Sequence, residues 1–418
     1  MRCKDTKPRG AWWTLAVASV TAVILLGGCG HPREVAIPAE PAERGGADLG
    51  LGPSVRPLTS GPGDKGSPRW SPSGTSISFT MDGYIVDKST DARQLRRRTT
   101  RDFGAQEAEW VSSGDGLAIL GADLSETPAA ASPVADGASR AVYRTRPGEG
   151  SLGVDEISTS VLAMSPLPNG GLIAARESGD STISLFVMDG NGEISRTYTS
   201  SVEGAVSDLS VSPDGNTAVL AVQAEGAGKS GILSFDLSEG TYRRIADLPK
   251  DEEVFGAPQW TRHGVFYVAG EAEMAESGDA APYDVYQISL DSGKPGPVPG
   301  VGEDFVASSL RASPDGERLA IVGRRNPNSP TDLYVLDLAT NVLEAVTANE
   351  NMEIKTSPND LAWSADGGHI AIVARGILSG SRVYGVRADA LLADFYNVYD
   401  VPVGNSSSSE VSEYGSAG

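Results

Sequence analysis

Seven times along this 418-residue chain a strand-like residue, usually aromatic, runs into a Ser-Pro-Asp-Gly-type turn and out again into a short apolar run. Clear copies are Val211-Ser212-Pro213-Asp214-Gly215, Ala312-Ser313-Pro314-Asp315-Gly316, Trp70-Ser71-Pro72-Ser73-Gly74 and Trp363-Ser364-Ala365-Asp366-Gly367. Worn copies begin at Trp110, Met164 and Trp260. The anchors at 70, 110, 164, 211, 260, 312 and 363 stand 40, 54, 47, 49, 52 and 51 residues apart. A period of that length marks a modular array in which each unit buries its apolar faces only against its neighbours.

The turn has a physical mechanism. Proline fixes φ for the first corner, Asp bonds its own downstream backbone, and Gly accepts the positive φ of the last corner. Each turn is followed by an apolar run too short for a helix, such as residues 218–221, 319–322 and 370–373. A further strand ends on an acidic turn (residues 185–189, 232–236 and 333–337), and a short strand leads to the next anchor. Four antiparallel strands repeated seven times predict an all-β chain, a seven-bladed β-propeller of four-stranded antiparallel blades. Residues 55–59 are expected to close the ring as outer strand of the last blade, with residues 397–403 as the alternative for that place. Trp70, Trp110, Trp260 and Trp363 recur at the anchor, so their spacing argues first for packing between blades and second for a ligand-stacking ring.

The order of Trp-Ser-Pro-Asp-Gly turn, apolar strand, Tyr-Val-x-Asp strand and closing Leu-Thr resembles the propeller repeat of the TolB family, a WD40-like group. Leu58-Thr59 and Val346-Thr347 match the closing element. The likeness spans residues 56–388 and extends to the propeller of actinobacterial LpqB-type lipoproteins. It implies an envelope protein that binds another protein, or an accessory to a membrane sensor kinase.

Residues 1–28 read as a lipoprotein signal peptide: basic Arg2, Lys4, Lys7 and Arg9, an apolar stretch from 11 to 26, then Leu26-Gly27-Gly28-Cys29. Cys29 is the expected lipidation site, carrying diacylglycerol and anchoring the protein on the outer face of the cell membrane. An uncleaved anchor gives the same sidedness. Residues 29–53 are a Pro/Ala/Glu/Gly-rich tether, about 30 Å in reach as a flexible coil. The propeller is expected over 54–403 and a disordered tail over 404–418. Without residues 1–28 there are 30 basic and 54 acidic residues, a net charge of −24, which disfavours nucleic acid and anionic lipid as partners. Arginine outnumbers lysine 26 to 8, a bias of GC-rich bacterial genomes such as those of actinobacteria.

Chemistry is hard to find in the sequence. The histidines are three, His31, His263 and His369, and no Gly-x-Ser-x-Gly elbow is present. Gly228-Lys229-Ser230 lacks the first glycine of a phosphate loop, where Gln223 stands. The turn aspartates Asp115, Asp214, Asp315 and Asp366 sit on separate blades and suit the turn itself better than a calcium site. Arg93, Arg96, Arg97, Arg98 and Arg101 form a basic group, either a solvated outer strand or a docking patch for an acidic partner. Loops 123–139, 225–231, 271–282 and 324–330, all between second and third strands, are expected to share one face and carry the partner site. The resulting expectation is a non-enzymatic scaffold without catalytic residues, metal or cofactor. An enzyme or small-ligand binder using the central channel ranks last, for want of convergent polar residues.

Overall fold

The computed structural model describes residues 55–403 apart from 61, 92–94, 101–103, 112–115, 123–139, 146–153, 179–181, 224–229, 250–251, 272–282, 291–292, 348–351 and 377–395. Cys29, the tether, the tail, Arg93, Arg101 and most of the long loops therefore lie outside the described residues.

Seven separate antiparallel sheets succeed one another around a ring. The first blade is Lys65–Trp70, Ser76–Met81, Tyr84–Ser89 and Leu95–Arg97, in that spatial order from inside to outside. The fourth is Ala205–Val211, Thr217–Gln223, Gly231–Asp236 and Thr241–Asp247. The expected seven-bladed propeller of four-stranded blades is the observed fold.

The blades are held together by the apolar runs that follow the turns. Leu172–Ser178 and Thr217–Gln223 place Ile173, Ala175, Ala218 and Leu220 in one buried cluster that spans the third and fourth blades. Such clusters recur from blade to blade, so burial between sheets is the main stabilising term. Tryptophan adds a polar stitch. The Trp110 indole donates to the carbonyl of Arg69 at 3.0 Å, and Trp363 donates to that of Arg311 at 3.0 Å, each reaching the inner strand of the preceding blade.

The ring closes through the N-terminal segment. Arg56–Pro57 pairs antiparallel with Asn397–Pro402, and Leu58 N–H reaches the Val398 carbonyl at 2.8 Å. Thr59 Oγ1 accepts from the Val398 N–H at 3.0 Å, and Arg56 pairs with the buried Asp400 at 2.8 Å. Asp400 also holds His369 Nδ1 at 2.8 Å, which explains that histidine as a satisfied strand residue. The last blade thus takes its outer strand from the chain start and its inner strands from the chain end.

Strand alternation puts all first-to-second turns at one end of the ring and all second-to-third loops at the other. Loops 123–139, 225–231, 271–282 and 324–330 do lie between second and third strands. The described residues begin and end toward the turn end: Val403 N–H bonds to the Gly368 carbonyl in the last repeat turn at 2.8 Å, and Arg56–Pro57 runs away from that end.

Candidate active site in the axial channel

The innermost strands are irregular in six of the seven blades. Register slips occur between Gly66 and Arg69, Val161 and Ala163, Val206 and Asp208, and Ala307 and Ser309. In the fifth and seventh blades the inner strand is split, into Glu252–Val254 and Gln259–Thr261, and into Met352–Ile354 and Leu361–Trp363. A bulge re-aims the side chains that follow it. Here the residues just past the slips and splits are Arg69, Ala163, Asp208, Ser309, Gln259 and Leu361, four of them polar. Ser67, inside the first slip, sits at φ +48°, a strained conformation held by its N–H to Asp360 Oδ1 at 2.7 Å and its hydroxyl to the Gln106 carbonyl at 3.0 Å.

These strands surround a cavity of about 480 Å³ on the ring axis. Its mouth is lined by Trp70, Trp260, Trp363 and by Pro166, Pro213 and Pro314 of the repeat turns, so it opens at the turn end. Deeper in stand Arg69, Glu107, Glu109, Asp208, Arg311 and Asn359. Asp208 precedes Val211 by three residues, which puts it about 10 Å below the turn at the rise of a strand.

The charged groups form one network. Glu107 and Glu109, two residues apart, fall on the same side of their strand. Arg69 binds Glu109 through Nε and lies 3.6 Å from Glu107 through Nη2. Asn359 joins two cations: its carbonyl accepts from Arg69 Nη1 at 3.0 Å, and its Oδ1 accepts from Arg311 Nη2 at 2.8 Å. Among the described residues Arg311 has no ion pair within 4 Å. Arg140, which opens the third strand of the second blade, donates to the Leu162 carbonyl and to Gln106 Oε1 at 3.4 Å.

Burial sets the proton affinities here. It pushes the Glu107 carboxyl up to about 7; Arg69 pulls it back, while Asp208 and Glu109 push it further up. Burial also raises Asp208, against the opposing pull of Arg311. Asp208 and Arg311 keep part of their surface open to the channel, but protein surrounds them on the other sides, so the loss of solvation still dominates. Arg311 is pulled down by burial and then by the like charge of Arg69. Arg69 itself goes up, because Glu109 and Glu107 outweigh its burial. A carboxyl poised near neutrality beside cations in a cleft is equipped for proton transfer.

The basic group seen in the sequence is elsewhere. Arg96 and Arg98 both clasp the buried Asp87, at 2.9 and 3.0 Å, and Arg97 lies over the Tyr84 ring at 4.7 Å. Trp70, Trp260 and Trp363 line the channel, whereas Trp110 is buried between blades.

No protein-family model and no curated protein matches the chain. Among solved structures, an oligogalacturonate lyase in complex with manganese is similar over 90% of this chain and 99% of its own, at TM-score 0.55 and 12% identity. An oligogalacturonate lyase from Vibrio parahaemolyticus covers 84% and 94%, at TM-score 0.52 and 12% identity. A TolB-like protein from Agrobacterium tumefaciens covers 57% and 82%, at TM-score 0.39 and 16% identity. At these identities the likeness establishes the fold.

The expectation of a non-enzymatic scaffold without catalytic residues is corrected at this point. Two structures that share this backbone over most of its length are enzymes, so the architecture does not single out a scaffold. The supposed lack of convergent polar residues was also mistaken. Convergence is a property of the ring: Arg69, Glu107, Asp208 and Arg311 come from four blades. The legible signal was the repeat register. The position before the anchor is Arg69, Glu109, Ser210, Gln259 and Arg311 in five of seven repeats, and three before it stand Ser67, Glu107, Asp208, Ser309 and Asp360. The manganese belongs to that neighbour; among the described residues of this chain no group of three or more His, Cys, Asp or Glu could hold a metal ion.

Proposed function

We propose that this chain is an acid–base enzyme whose reaction takes place in the axial channel, a lyase acting on an acidic saccharide. The observation that carries this reading is Glu107, a channel carboxyl that changes charge at about 7, next to arginines that compensate negative charge. In an elimination, Glu107 as carboxylate takes the proton from the carbon α to the substrate carboxyl. A C=C bond forms and the bond to the glycosidic oxygen breaks. Asp208, whose carboxyl holds its proton more readily than an ordinary aspartate, returns a proton to the leaving oxygen. Arg311 compensates the charge that builds on the substrate carboxyl. The lyases of the same backbone supply the reaction class, and the residues of this chain supply the roles.

We further propose that Cys29 is lipidated and holds the enzyme outside the cell membrane. Arg56, near the start of the described residues, stands toward the turn end, the end on which the channel opens.

The test is to incubate the protein with oligogalacturonate and follow the ultraviolet absorbance of an unsaturated product. Activity that rises with pH through about 7 and falls at least about 100-fold in Glu107→Gln supports the reading. Turnover that survives in Glu107→Gln overturns Glu107 as the base. No unsaturated product under any condition overturns the lyase reading.

A further inference from the structure

A second cavity of about 400 Å³ lies on the turn end, at the seam between the third and fourth blades. Leu167 and Pro168 line both this cavity and the mouth of the axial channel, so the two adjoin. We infer that this seam is a groove holding the part of an oligomeric acidic saccharide that extends out of the channel. This rests on the lyase reading for the identity of the ligand, and on the groove's own residues for the fact of binding.

The chemistry of the groove suits a sugar chain. Tyr198 offers a half-buried ring fixed on several sides: its hydroxyl donates to the Leu237 carbonyl at 2.6 Å, and its ring meets Phe235 edge-on at 5.0 Å. Gly240, at φ +70°, packs so close that a Cβ there would stand 3.3 Å from the ring. An aromatic surface that is already ordered loses little entropy on binding. Around it are short polar groups from the turns, Asn169, Asp214, Asn216 and Ser238, and from the outer strand Ser195 and Arg196.

Arg196 gives the groove its charge preference. It is exposed, and among the described residues it donates only through Nη1, to Tyr198 Oη at 3.4 Å and the Leu237 carbonyl at 3.3 Å. Its Nε and Nη2 have no partner there, and a guanidinium binds a carboxylate through two parallel N–H groups. Asp214, in the same lining, stays anionic, with its oxygens accepting from Ser212 Oγ, Asn216 N–H and Asn216 Nδ2, so Arg196 is the group here that attracts a ligand carboxylate. A neutral chain would satisfy the hydroxyls and the ring, but a chain bearing carboxylates also gains a charge-assisted pair with Arg196.

The experiment uses the full chain with oligogalacturonates from the dimer to the hexamer, measuring KM, kcat and calorimetric affinity. Arg196→Gln and Ser195→Trp, both on the exposed outer strand, are compared with wild type after equal melting temperatures are verified. The expected result is a KM for the hexamer raised about tenfold, with kcat and the dimer KM unchanged. Equal effects on dimer and hexamer, or none on either, overturn the groove. If the wild type turns over nothing, calorimetry decides alone. A hexamer affinity that exceeds the dimer's and falls in both variants supports the groove while the lyase reading fails. Failure of every oligogalacturonate to bind overturns both.

Discussion

Two sets of carboxylates in this propeller have the same functional group and opposite behaviour. The turn aspartates Asp214 and Asp366 are held below the ordinary range, first by the hydroxyls of Ser212 and Ser364 and then by backbone N–H groups. Asp315 is also lowered, because Ser313, the Glu317 N–H and Arg318 outweigh its burial. In the channel, Glu107 and Asp208 are raised because burial removes water and supplies too few donors in return. Hydrogen-bonded carboxylates stabilise a turn and are chemically quiet. Under-solvated ones cost stability and hold a proton more readily than an ordinary carboxyl.

The largest break in that comparison is chemical. Glu107→Gln should lower turnover by at least about 100-fold, whereas Asp214→Asn should leave it within about twofold. Steady-state rates on one oligogalacturonate preparation give both values. Arg311→Gln comes next, with KM raised about tenfold for an acidic substrate, the loss of roughly one charge-assisted hydrogen bond. An unchanged KM would remove Arg311 from substrate binding.

Stability against pH sharpens the contrast, because the two sets have opposite signs. Glu107 has a raised folded pKa, so its contribution is fully present below the unfolded value of roughly 4.3 and is lost as pH rises through about 7. Glu107→Gln should therefore be more stable than wild type above pH 7, by about 1–3 kcal/mol in denaturant unfolding. The turn aspartates have depressed folded values. Their contribution is present above roughly pH 3.9 and is lost on acidification, so Asp315→Asn should flatten the acid limb below that value. Parallel limbs in both variants would show that the two environments do not differ.

The smallest expected effect tests the turn itself. Ser212 Oγ donates to Asp214 and accepts from the Thr217 N–H at 2.9 Å. Ser212→Ala leaves that part-buried donor unpaired and should cost about 1 kcal/mol with no change in kcat.

The sequence by itself determined the architecture. Ser-Pro-Asp-Gly is a local instruction, written in φ preferences and in bonds such as Ser313 to Asp315, and its period set the number of blades, while the structure decided that Arg56–Pro57 and not residues 397–403 supplies the outer strand of the last blade. The sequence also left its trace on the site, in the polar residues just before the anchors. Only the tertiary structure decided that these residues meet. Arg69 and Arg311 are 242 positions apart, yet Asn359 bridges them, because closing the ring brings the first, sixth and seventh blades to one axis. The raised carboxyl of Glu107 follows from the same closure, since burial on the axis depends on residues from other blades, whereas a turn aspartate finds its donors within its own few residues.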